Sequence, residues 1–207
     1  MNVIMNKTTN WVFAVLIMLL ASSITACRSN STTEGNGQAL EIYDVKGSEA
    51  KAKLIINGEV LFVTDVFIGK NGLGKQREGD LKTPVGKMSV KGAFGICDNP
   101  GTTIPYTHVT PSIFSCSDSA YYNQVIDTAA VHHPNCTGED MFHIVPEYNY
   151  GLMTSYNEEC RIGLGNSIFV HCKGKKSYTG GCIALDEDKM IEILTRCDST
   201  LIINVKP

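Results

Sequence analysis

The chain has 207 residues, 43% hydrophobic and 19% charged, with 18 Lys+Arg against 21 Asp+Glu and a net charge of −3. That length suits one domain that hides roughly 70% of its unfolded surface, and the composition excludes a disordered or low-complexity chain. The absence of a basic block argues against a nucleic-acid partner, and 8 cysteines are many for a chain in a reducing compartment.

Residues 1–10 are polar with one positive side chain, Lys7. Residues 11–20 (WVFAVLIMLL) are apolar, and Ala21, Ser22, Ser23, Thr25 and Ala26 lead to Cys27. This is the order of an export signal, and the apolar run is too short for a transmembrane helix, which needs about 20 residues. The ending Ile24-Thr25-Ala26-Cys27 resembles the bacterial lipobox. It implies a signal peptide over 1–26, a lipid on Cys27, and an exported lipoprotein held at a membrane of the cell envelope. Residues 27–40 are mostly small and polar and read as a flexible tether, leaving one domain over 41–207.

In that domain, apolar runs at 53–56 and 60–63 meet at Asn57-Gly58, the strongest short hairpin signal. Residues 66–69 extend the second strand, and 88–90 predict another. Residues 95–140 are rich in Gly, Pro, Ser, Thr, Asn and Cys and predict a long loop-dominated insertion with one helical piece near 120–127. Strands are predicted at 143–145 and 167–171. Residues 186–197 predict a helix capped by Asp186, with Met190, Ile193, Leu194 and Cys197 on one face. Residues 201–205 predict a closing strand. The sum is a mainly β domain with one late helix.

Several motifs do not survive inspection. Residues 69–76 (GKNGLGKQ) miss the phosphate-loop pattern, because Gln76 replaces the magnesium-binding hydroxyl and Gly79 and Pro84 bar a following helix. Ser48-x-x-Lys51 lacks the companion motifs of the serine acyl-enzymes. His132, His133, Cys136 and His143 lack zinc-site spacing.

The segment 167–185 (SIFVHCKGKKSYTGGCIAL) does carry chemistry. Strand alternation puts Ile168 and Val170 on one face and Ser167, Phe169 and His171 on the other, with Cys172 turned away from His171. A glycine- and lysine-bearing loop returns the chain to Thr179-Gly180-Gly181-Cys182. A thiol needs a base or a nearby cation to become a nucleophile, and His171 is eleven residues earlier on a strand able to pair with the one after Cys182. The N–H of Cys182, with that of Gly181, would then face a developing oxyanion. The residues also admit Cys182 as half of a disulfide and His171 as a core histidine.

This segment resembles the L,D-transpeptidase (YkuD-type) catalytic domain family, whose signature is a histidine, a spacer, then [ST]-x-G-C-[IV]. Here those are His171, Thr179, Gly181, Cys182 and Ile183. Gly79-Asp80 followed by Thr83-Pro84-x-Gly86 matches the family's other recurrent element, and 117–127 with Tyr148-Asn149 resemble a subgroup whose motif ends G-C-I-A-L. The resemblance implies a β-sandwich or barrel-like mixed sheet. It also implies a cysteine acyltransferase acting on peptidoglycan stem peptides: Cys182 attacks, D-alanine leaves, and a thioester passes its acyl group to an amine. In that reading His171 is the base, Thr179, Gly180 and Gly181 support oxyanion and substrate, and no metal or organic cofactor is needed. Ala184 and Gly180 depart from the arginine and histidine of most members. The alternatives are an L,D-carboxypeptidase that uses water, a non-catalytic wall-binding lipoprotein, and a disulfide-stapled adhesion module. The protein is expected to work as a monomer. Asp80 and Tyr148 are weaker site candidates. The group that orients His171 is sought near 163–166 or within 95–140, and the pairing among Cys97, Cys116, Cys136, Cys160, Cys172 and Cys197 is open.

Overall fold

The structure, a computed structural model, describes residues 37–207. The signal sequence and Cys27 lie outside the described residues. Twelve strands and one α-helix follow in order: β1 Gln38–Lys46, β2 Glu49–Ile56, β3 Glu59–Phe67, β4 Gly86–Gly95, β5 Tyr106–His108, β6 Ile113–Cys116, β7 Gln124–Asp127, β8 Gly138–Asp140, β9 Gly151–Thr154, β10 Phe169–Cys172, β11 Ile183–Leu185, α1 Glu187–Arg196 and β12 Ile202–Val205.

Nine strands form one mixed sheet in the order β12-β1-β2-β3-β11-β10-β9-β4-β5, and β12 also pairs with β4. That last pairing closes the sheet into a barrel, with β5 attached outside on β4. Closure removes the free edges that an open sheet would present. β1/β12, β10/β11 and β4/β5 run parallel; the other neighbours are antiparallel.

Alternation along the strands fills the interior. Leu40, Ile42, Leu54, Val66, Val170, Ile183 and Ile203 belong to one buried cluster. The α1 side chains Met190, Ile193 and Leu194 join it, each contributing roughly 1.5–3 kcal/mol by burial. A second cluster, Phe94, Val109, Ile113, Met141, Tyr148, Phe169 and Cys182, lies on the opposite face of β4 and β10. There the 95–149 insertion, with its small sheet β7-β6-β8, packs over the outside of the barrel. A disulfide between Cys116 and Cys136 staples this insertion.

The mainly β, barrel-like expectation holds, and so does the hairpin: Asn57 and Gly58 both have positive φ (53° and 82°) between β2 and β3. Other expectations are corrected. β1 begins at Gln38, inside the stretch assigned to the tether, because Leu40 and Ile42 are fully buried and pair with both β2 and β12. Residues 120–127 are not helical; Gln124–Asp127 pairs with β6, where Ile126 is buried. Residues 143–145 are not a strand; a 3-10 turn over Met141–His143 buries Met141 instead. Asp186 occupies the N-cap position of α1, but its carboxylate meets Lys173 at 3.0 Å rather than the helix N–H groups.

Candidate active site

His171, Thr179, Gly180 and Cys182 line one cavity of about 590 Å3 on the outer face of the barrel, while Ile183 belongs to the barrel core. Strand register explains why. β10 and β11 are parallel neighbours, with His171 opposite Ala184. Cys182, two residues before Ala184, therefore shares the face of His171 and Phe169, one diagonal step away. His171 is 7% and Cys182 8% exposed, and both line the cavity.

His171 Nδ1 lies 2.8 Å from the Cys172 carbonyl. A carbonyl only accepts, so Nδ1 carries the proton and Nε2 has a free lone pair. The orienting group is thus the carbonyl of the next residue in the chain, not a group from 163–166 or 95–140. Burial lowers the imidazolium pKa below its ordinary 6.5; the Cys172 carbonyl and the charge of Glu147 oppose this. The Tyr148 ring meets the imidazole edge-on at 5.6 Å and packs on Phe94 and Phe169.

The Cys182 thiol donates to the Ser167 carbonyl at 3.0 Å and accepts from the Phe169 N–H at 3.4 Å. Burial pushes its pKa from 9.0 to about 12, and Glu139 adds to the rise, while the Phe169 N–H and Lys75 act against it. Both bonds suit the neutral forms: the S–H donates to one carbonyl and the Nδ1–H to another.

Ser167 is the residue that sequence reasoning missed most clearly. It is buried with φ of +54°, a conformation rare for a side-chain-bearing residue. Three neighbours hold it there. Its hydroxyl meets Ser115 Oγ at 2.7 Å and donates to Asn166 at 3.0 Å, and its N–H donates to Asn123 at 3.0 Å. Ser115 and Asn123 belong to the insertion, so the insertion fixes the carbonyl on which the thiol rests.

Thr179 braces the turn into Cys182. Its hydroxyl donates to the Cys182 carbonyl at 2.7 Å and accepts the Gly181 N–H at 3.1 Å. The Gly181 N–H is therefore engaged within the turn and is not free to face an oxyanion. Gly181 is required by the backbone: φ is +146° and a Cβ would sit 2.8 Å from the Lys82 carbonyl. Gly180 has open space around it and makes no such demand.

Asp80 organises the adjoining loop. Burial works to raise its pKa, but the N–H groups of Gln76, Arg77 and Lys82 and the ammonium of Lys75 prevail and hold it well below the usual carboxylate range. The Lys75–Asp80 pair, 3.0 Å apart, is almost wholly enclosed. Tyr148 is both a core aromatic and a cavity wall, and its hydroxyl donates to Glu139. Burial raises the Glu139 pKa, opposed by that bond. Nothing in the sequence pattern marks Glu139. Cys172 sits in the barrel core, away from His171. Near Cys116 and Cys136, Asp118 binds His133, but the two sulfurs are bonded to each other and are not thiolate ligands.

One cavity of this barrel thus holds a buried thiol and an imidazole whose Nδ1 is engaged by a backbone carbonyl. The model of the YkuD family, the L,D-transpeptidase catalytic domain, matches residues 41–205, and the chain belongs to that family, which acts on peptidoglycan stem peptides. No curated protein matches. Among solved structures, Mycobacterium tuberculosis L,D-transpeptidase 1 is similar, with 15% identity and a TM-score of 0.39 over 82% of this chain and 63% of that one. The chain thus spans less than two thirds of that mycobacterial chain.

Proposed function

We propose that this protein is a peptidoglycan L,D-transpeptidase with Cys182 as nucleophile and His171 as its base. The Cys182 S–H proton passes to His171 Nε2 as sulfur attacks the carbonyl of the L-centre of the diamino acid in a stem tetrapeptide. The C–N bond breaks, D-alanine takes the proton from Nε2, and a thioester remains on Cys182. An amine attacks the thioester, gives its proton to His171, and the thiol is restored. The Cys182 N–H faces the oxyanion in both steps.

The observation that carries this reading is the shared cavity of Cys182 and a His171 whose Nδ1 proton is committed to Cys172, leaving Nε2 to accept. The thiol leaves the Ser167 carbonyl when it donates its proton, and burial strengthens the electrostatics of the step. Ala184, beside His171 in register, also lines the cavity.

The reading includes export and a lipid anchor at Cys27, supported by the signal pattern of residues 1–27. A Cys27→Ser variant should then leave the membrane fraction. The reaction itself is tested by incubating the protein with a purified tetrapeptide muropeptide and separating the products. Dimers linked through two diamino acids, absent with Cys182→Ala, are expected. Tripeptide alone would reassign the protein as an L,D-carboxypeptidase.

A further inference from the structure

Three carboxylates line the cavity, and two have protein partners. Glu78 accepts from the Tyr122 hydroxyl at 2.6 Å and from Asn166 at 3.2 Å, and Glu139 accepts from Tyr148. The Glu147 carboxylate has no hydrogen-bond or ion-pair partner among the described residues. The cavity's own cations are engaged elsewhere. Lys75 holds Asp80 at 3.0 Å, and Lys70 and Lys176 lie over the Tyr178 ring at 5.2 and 5.8 Å. A carboxylate without an internal counter-charge is free to form a charge-assisted hydrogen bond with a cation that arrives with the ligand.

Its place in the cavity says which ligand. The Glu147 carbonyl accepts the Cys172 N–H at 3.0 Å, so its backbone is pinned beside the residue after His171. Tyr148, the next residue, touches the imidazole. The carboxylate lies across Gly174, where a Cβ would collide with Oε1. In the acyl-transfer cycle, the imidazole that protonates the departing amine also takes the proton of the incoming one. Incoming amines therefore approach Cys182 from the His171 side, where Glu147 stands. At neutral pH they arrive largely as ammonium ions.

We propose that Glu147 is an acceptor subsite that binds a primary ammonium group and so favours an amine over water at the acyl-enzyme. This rests on the reading of Cys182 and His171 given above. Glu147 draws the ammonium to the mouth of the site; the amine loses its proton beside His171 and attacks the thioester.

The test measures how the acyl-enzyme divides between an added nucleophile and water. The protein is given a stem tetrapeptide with either glycinamide, an ammonium at neutral pH, or hydroxylamine, which is uncharged. Glu147→Gln removes the charge, and Gly174→Ala keeps it but displaces it. Both variants should lower the ratio of glycinamide adduct to tripeptide about tenfold while moving the hydroxylamine ratio less than about twofold. An unchanged glycinamide ratio overturns the assignment. So does an equal fall with both nucleophiles, or slower D-alanine release with both ratios intact, which would move Glu147 to the donor side. If the wild-type protein releases no D-alanine, the acyl-transfer reading fails and this subsite fails with it.

Discussion

The hydroxyl of Thr83 donates to the carbonyl of Gly181 at 2.8 Å, across 98 residues of sequence. The same oxygen accepts the Gly69 N–H at 2.8 Å and is fully buried. One side chain thus ties the loop after β3 to the turn that presents Cys182. Thr83→Val keeps the shape but strands a buried N–H and a buried carbonyl. The expected cost is about 1–3 kcal/mol, or a fall in Tm of several degrees, together with slower D-alanine release. Thermal unfolding and a D-alanine assay check both.

This tie also shows what was legible in the sequence and what was not. The Thr-Pro-x-Gly and T-G-G-C segments were both readable, and strand alternation put His171 on the cavity face and Cys172 in the core. The hairpin at Asn57-Gly58 followed from local turn chemistry. The bond between Thr83 and Gly181 depends on barrel closure, which no local pattern encodes. Residues 120–127 looked helical because the signal there is short, and pairing with β6 decided otherwise. Ser167, Glu139 and Glu147 meet at the cavity because the insertion folds over β10, so their neighbours in sequence do not announce them.

Acid should weaken both activity and fold through His171. Burial holds its folded pKa below 6.5, so only the unfolded chain takes up a proton as pH first drops below that value. The unfolded state binds more protons in this window, and stability falls with falling pH. Activity requires neutral Nε2 and should plateau near neutrality, with its acid limb below 6.5. At the alkaline end, the folded thiols of Cys172, Cys182 and Cys197 stay protonated to about 12, while unfolded thiols ionise near 9.0. Stability should fall as pH rises through that interval. A Tm-against-pH curve with a maximum between the two windows is expected, and Cys182→Ala should make its alkaline limb shallower, leaving the share of Cys172 and Cys197.

Glu139 raises the Cys182 thiol pKa, second to burial. Glu139→Gln removes that charge and keeps an acceptor for Tyr148. The pH at which iodoacetamide alkylates Cys182 should shift downward. An unmoved alkylation profile would show that the two groups are not electrostatically linked.

The Cys116–Cys136 bridge spans 20 residues and ends one residue from Ser115, which holds Ser167. Loop-closure entropy gives such a bridge about 3 kcal/mol. Cys136→Ser should lower Tm and also slow D-alanine release, because the carbonyl that positions the thiol loses part of its support. Paired melting and activity measurements would separate the two effects.

The central claim is that Cys182 carries the acyl group, and intact mass spectrometry tests it directly. The protein is mixed with a stem tetrapeptide and quenched in acid, alongside Cys182→Ala. A mass increase equal to the acyl tripeptide, with matching D-alanine release, is predicted for the wild type alone. An adduct that persists in Cys182→Ala, or none in wild type with its thiol shown to be free, would contradict the account.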